Sequence, residues 1–158
     1  MSDHTAEIAW ERGPAKFTDS KYSRGHRWSF DGGAVVLASS SPDVVRVPFS
    51  DPAGVDPEEA FVAALSSCHM LWFLDFAARA GYVVDAYVDA AQGVLEKSTD
   101  TKERITRVTL RPAVVFSGAT LPDAARVDRL HHEAHAHCFL ANSVTTQIDI
   151  QGSWSCAG

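Results

Sequence analysis

Apolar and polar residues alternate through the first third of the chain. "AEIAWE" reads as a strand, and "HRWSF", "DGG" and "AVVLAS" in succession read as a β-hairpin. Its turn, Asp31-Gly32-Gly33, supplies residues able to take positive φ. The run "SSSPDVVRVPFSDPAG" sets three prolines among polar residues and reads as a surface loop. The period then changes. From Asp56 to Gly81 the pattern is that of a long helix, with Asp56 as N-cap, Pro57 at the first position, and Glu58 and Glu59 in the first turn. All four suit a helix start, where free N–H groups and the dipole favour negative charge, and Gly81 suits a stop. Two long alternating segments follow, "VVDAYVDAAQGVLEKS" and "ITRVTLRPAVVFSG", with the polar "TDTKER" between them as a turn. Val108, Leu110, Val114 and Phe116 fall on one packed face of the second, with Thr109 and Arg111 opposite. "LPDAARVDRLHHEAHAHCFLANS" reads as a second helix, Pro122 and Asp123 near its start and Asn142 near its end. "VTTQIDIQGSW" closes as a strand. The predicted order, β-β-β-α-β-β-α-β, is an α+β arrangement with strands on either side of one central helix, in a single domain over residues 1–158.

Composition narrows the class. A chain of 158 residues, 46% hydrophobic and 22% charged, can bury a core without staples and has the profile of a soluble globular protein. The net charge of −6 disfavours nucleic acid or an anionic membrane as partner, since nothing would neutralise phosphates. "MSDHTAEIAWERG" has no apolar core of a secretory signal. The longest apolar run, Phe61 to Ala80, is interrupted by Ser66, Ser67, His69, Asp75 and Arg79, so no membrane span is expected. The cytoplasm is the expected compartment. Three cysteines, Cys68, Cys138 and Cys156, are too few for a disulfide scaffold. In a reducing compartment they divide between inert core thiols and reactive ones.

Periodicity alone makes Cys68 a core thiol. Ala64, Leu65, Leu71 and Trp72 lie at −4, −3, +3 and +4 from it, and free cysteine packs as a small hydrophobe. Two features oppose that reading. Ser66, Ser67 and His69 are polar neighbours in an otherwise apolar helix, which suits a pocket for a charged sulfur. Cys138, 70 positions on, sits in a similar setting in the second helix. If the two helices meet, the pair could close a disulfide, given Cα atoms within roughly 7 Å.

The stretch "LHHEAHAHC" offers other chemistry. His131, His135 and Cys138 fall at i, i+4 and i+7 on one helix face, so a zinc site is conceivable. Glu133 follows His132, but His135 comes one place too early for the metalloprotease spacing, and no second cluster supplies further ligands. The four histidines, His137 included, are expected to be solvated. There is no G-x-S-x-G elbow and no phosphate-cradling glycine loop. Cys156, the third residue from the end of the sequence given, is expected to be incidental.

The block "VDPEEAFVAALSSCHM" resembles the signature of the osmotically inducible protein C and organic hydroperoxide resistance (OsmC/Ohr) family. In that family an Asn/Asp-Pro-Glu-Glu/Gln start precedes, by ten residues from the Glu, a peroxide-attacking cysteine on a central helix. Those places are held here by Glu58 and Cys68, and the family's second cysteine matches Cys138. The resemblance implies two antiparallel sheets around a central helix, an intertwined homodimer, and a thiol peroxidase preferring organic hydroperoxides. No cofactor or metal is called for. Cys68 would attack the peroxide, Cys138 would resolve the sulfenic acid to a disulfide, and an external dithiol, lipoyl-based in well-studied members, would recycle it. The family activates its thiolate with an arginine from the N-terminal strands, held by the Glu of the helix start. Arg24 in "KYSRGHRW" is the best match, with Arg27 and Arg12 as rivals because "PAKFTDSKYS" is an insertion. Phe61, Leu65, Leu71, Trp72 and Phe73 are candidate walls of an apolar substrate pocket. Phe139 stands where the commoner family pattern has proline after the second cysteine. The residues also admit a non-catalytic OsmC-like protein that binds a small molecule or senses oxidation, and a structural zinc protein.

Overall fold

Of the three turn residues in the first hairpin, only Gly33 takes positive φ, at 84°. Gly33 N donates to Phe30 O and Phe30 N to Ala34 O, a tight turn followed by a left-handed residue. In this computed structural model, which describes residues 1–157, the chain falls into two compact units, Met1–Ala60 and the residues from Phe61 onward.

In the first unit, β1 (Ala6–Ala9), β2 (His26–Phe30) and β3 (Val35–Ala38) form an antiparallel sheet in that order. The inserted segment between β1 and β2 folds on its own aromatic residues. Phe17 and Tyr22 stack at 4.8 Å, and Trp10 packs edge-on against Tyr22 and donates Nε1–H to Ser23 O. The proline-rich loop after β3 returns to it. Buried Ser39 accepts at Oγ from Asp51 N, and its own N–H donates to Val55 O. Gly54 passes so close to Ala38 and Ser39 that a Cβ there would lie 3.0 Å from backbone atoms.

Helix α1 runs from Pro57 to Arg79. Its start is a reciprocal cap: Asp56 Oδ1 accepts from Glu59 N at 2.7 Å, and Asp56 N donates to Glu59 Oε2. At its end Gly81, φ 81°, allows Tyr82 N to reach back to Ala77 O. α1 is long and apolar enough to cross a membrane, contrary to the expectation from its interrupting polar residues. Leu65, His69, Phe73 and Ala77, spaced by four, are nevertheless buried along one stripe of it.

In the second unit each predicted long strand is two. The first divides into β4 (Val83–Asp89) and β5 (Gln92–Lys97), the second into β6 (Glu103–Leu110) and β7 (Pro112–Ser117), and the closing strand into β8 (Gln147–Ile150) and β9 (Ser153–Cys156). β5-β6-β8 make one sheet and β4-β7-β9 another, so a ribbon of three long strands is broken across its middle. Pro112 opens β7 without an N–H to offer, and Asp89 Oδ1 takes the Arg111 N–H at the break. β8 and β9 pair parallel to β6 and β7, so these sheets are mixed rather than purely antiparallel. The break also splits the expected packed face. Val108 and Leu110 join Leu65 in one cluster, and Val114 and Phe116 join Phe73, Ala77, Val127, Leu130 and Ala134 in another. Thr109, expected to be outward, is buried. Cys156 is no tail residue but an exposed member of β9 beside Phe116.

Helix α2 (Ala124–His137) is capped by Asp123, whose side chain accepts from Arg126 N at 2.8 Å. It ends five residues before Asn142. Cys138 is its C-cap in extended conformation, and a single 3₁₀ turn follows at Ala141–Ser143. Asn142 stops the helix from a distance, donating Nδ2–H to the free Ala136 carbonyl.

Candidate functional site

α1 and α2 bring two of the predicted residues together. Cys138 is 1% exposed, and its thiol neighbours that of Cys68, which is half-buried. Both are free thiols. Burial, and then the neighbouring Cys68, push the Cys138 thiol up to about 11. Its sulfur also accepts the Ala141 N–H at 3.4 Å, a bond made available by the end of α2 at this residue. Cys68 lies one position, about 100° of helix, away from the buried stripe. It therefore sits at the rim of the packed face rather than in the middle of it.

The candidate pocket residues separate. Leu65 is spent on the core with Val108 and Leu110, and Phe61 packs against that cluster. Leu71 is 61% exposed. Trp72 is half-buried in an aromatic group with Phe76, His137 and Phe139, the last meeting it edge to face at 5.5 Å. Phe73 is a core residue at 0% exposure.

Glu58 and Arg24 belong to the first unit. Glu58 is half-buried, and the reciprocal cap of α1 is made by Glu59 beside it. The Arg24 guanidinium donates to Ser20 O at 2.8 Å and Tyr22 O at 2.5 Å and lies 3.8 Å from the centre of the Tyr22 ring. Arg12 donates to Ala15 O. Arg27 borders a surface cleft of about 310 Å³ with Glu11, His26 and Asp51.

The histidines depart most from expectation. His132 and His137 are exposed, but His131 is 6% exposed and His69 1%. Their rings lie nearly parallel with centres 5.3 Å apart and His69 Nε2 3.0 Å from His131 Nδ1, an end-to-end hydrogen bond, and the Phe73 ring centre lies 4.4 Å from that of His131. His69 Nδ1 and His131 Nε2 are buried without a protein partner. Burial lowers His69 to about 3, aided by His131 and His135. It lowers His131 to about 4, against the opposing pull of Asp128 and Asp89. Both are neutral at ordinary pH. The pattern was present in the sequence: Val127, Leu130, His131, Ala134 and Cys138 form an i, i+3, i+4, i+7, i+11 stripe, all buried. Among the described residues, no three His, Cys, Asp or Glu side chains are disposed to hold a metal ion.

Such a domain, an α+β fold with two cysteines meeting between a long helix and the end of a shorter one, defines a thiol-bearing class. Residues 50–152 match the model of the OsmC-like protein family, and the chain belongs to that family. It is similar to an OsmC-like protein of unknown function from Vibrio cholerae, at 52% identity over 97% of this chain and 100% of that one, with a TM-score of 0.95. It shares its fold with an organic hydroperoxide resistance protein from Elizabethkingia anophelis (14% identity, 99% and 98% of the two chains, TM-score 0.66). The same holds for the organic hydroperoxide resistance protein OhrB of Bacillus subtilis (14%, 98% and 98%, TM-score 0.60). A search of curated protein sequences found no match.

Proposed function

We propose that this protein is a cysteine-based peroxidase reducing organic hydroperoxides in the cytoplasm. The observation that carries the reading is the proximity of the Cys68 and Cys138 thiols, one on the long helix and one at the end of the shorter. Cys68, the more accessible, attacks the distal peroxide oxygen. The O–O bond breaks, the alcohol leaves with a proton, and a sulfenic acid remains on Cys68. Cys138 displaces its hydroxyl as water and closes the disulfide, and an external dithiol reduces this by exchange. Arg24 stabilises the attacking thiolate and Glu58 holds it in place, roles that rest on the sequence resemblance. Leu71, Trp72 and Phe139 supply apolar surface near the thiol pair that favours an organic over an inorganic peroxide. A second copy of the chain covers the apolar side of α1 that this chain leaves open at Ala63, Ala64, Leu71 and Ala78. Sedimentation of the protein as a monomer at micromolar concentration would remove that last element.

The test is a titration of fully reduced protein with cumene hydroperoxide and, separately, hydrogen peroxide. The expected result is loss of two thiols within seconds, a Cys68–Cys138 linkage by peptide mapping, and a faster reaction with the organic peroxide. Cys138→Ser should stop at a sulfenic acid that dimedone traps, and Arg24→Ala should slow the first step. Thiols that persist for minutes would sink the peroxidase reading and leave a binding or sensing protein on the family scaffold.

A further inference from the structure

The His69–His131 pair is used by nothing in the chemistry above, yet both rings are buried in the second unit. His69 follows Cys68 on α1. His131 lies seven residues, two helical turns, before Cys138 on the same stripe of α2. The 3.0 Å bond between the rings is thus a cross-tie between the two elements that carry the thiols. The His131 ring packs against Gly152, where an added Cβ would lie 2.9 Å from its Nε2. On its other side Phe73 closes the space. Two imidazoles are a costly way to fill a core that leucine could fill, since each leaves a buried nitrogen without a protein partner. What they provide that leucine does not is a directed link of fixed length.

We propose that His69 and His131 are positioning residues for the thiol pair, their hydrogen bond holding α1 and α2 at the separation that keeps Cys68 and Cys138 poised to close a disulfide. This rests on the reading of Cys68 and Cys138 as a redox pair. The tie uses one defined nitrogen of each ring, Nε2 of His69 and Nδ1 of His131, which makes it distinguishable from bulk or polarity. A glutamine amide reaches the place of an Nε2, and an asparagine amide that of an Nδ1. Either amide can donate or accept there.

The experiment measures the Cys68–Cys138 equilibrium of the full chain in glutathione buffers, in a Cys156→Ser background. The reaction is balanced as dithiol plus oxidised glutathione giving protein disulfide plus two reduced glutathiones. His69→Gln and His131→Asn should keep the equilibrium constant near that of the parent. His69→Asn and His131→Gln, with the same groups at the wrong reach, should lower it roughly tenfold, the order of one lost hydrogen bond. Gly152→Ala, which crowds His131 while leaving both histidines in the sequence, should lower it as well. Urea unfolding of each variant separates this from loss of fold. If the asparagine and glutamine variants behave alike at both positions, or Gly152→Ala leaves the equilibrium unchanged, the positioning role is wrong although the redox pair stands. If the parent forms no Cys68–Cys138 disulfide at all, the redox reading falls and the positioning role with it.

Discussion

Mild acid should destabilise this protein through its two buried imidazoles. An unfolded histidine takes up a proton as pH falls through 6.5, whereas folded His131 does so only near 4 and His69 near 3. Between those values the unfolded chain binds more protons than the folded one, so stability rises with pH. The contribution is whole above pH 6.5 and drains away as pH drops toward 4 for His131 and toward 3 for His69. At pH 5 the loss is about 2 kcal/mol for each ring. The shared hydrogen bond couples the two, which makes about 4 kcal/mol the ceiling for the pair. Asp89 and Asp128 face His131 and temper the effect, while the neighbouring His135 adds to it at His69.

The assay is urea unfolding at pH 7.5 and pH 5.0, comparing the wild type with the double variant His69→Gln/His131→Asn. The amides keep the cross-tie but do not titrate, so other histidines and carboxylates cancel in the comparison. The wild type should lose up to about 4 kcal/mol more than the variant, a midpoint shift of roughly 2 M in urea for a slope near 2 kcal/mol per molar. Equal pH slopes for the two proteins would mean that the rings are not buried as neutral species, and the reasoning would fail.

Other outcomes follow from single contacts. Cys138, pushed up to about 11 from 9.0, carries about a hundredfold less thiolate at neutral pH than an ordinary cysteine. In brief iodoacetamide labelling followed by peptide mapping, exposed Cys156 should react well ahead of it, and equal rates would contradict the burial argument. Asp56→Ala should cost about 1–2 kcal/mol in thermal unfolding, because it removes the acceptor for Glu59 N from a buried cap. Asp56→Ser should recover most of that loss. An unaffected melting temperature in the alanine variant would show that the cap adds nothing to α1.

The parts of this fold that were legible are those fixed by neighbours in sequence. Asp56 and Gly81 bound α1 because caps act within a turn, and Gly33 sets the first hairpin for the same reason. The break near Asp89 and Arg111 was hidden. Side chains keep alternating through it, and the groups that stabilise it, the Asp89 carboxylate with Arg111 N and the Ser66 hydroxyl, lie more than twenty residues apart. The parallel pairing of β8 with β6 and β9 with β7 depends on where α2 sets the chain down, which no local pattern records. α2 looked longer because "CFLAN" continues an apolar run. The tertiary contact of Cys138, rather than a helix-breaking residue, marks its end. His131 was misjudged through its usual polarity, although its spacing placed it on a buried stripe.

That spacing also bears on which thiol acts first. On α2 the buried stripe runs Val127, Leu130, His131, Ala134 and ends on Cys138, so this thiol inherits the dryness of the core and a raised proton affinity. On α1 the stripe passes through His69, and Cys68 stands one residue off it, facing partly outward. Of the two thiols, Cys68 is the more accessible. A buried thiol with so little thiolate is poorly suited to starting the reaction. A one-residue offset between two helical stripes is therefore enough to give two chemically identical side chains different exposure, and it supports the order of events proposed here.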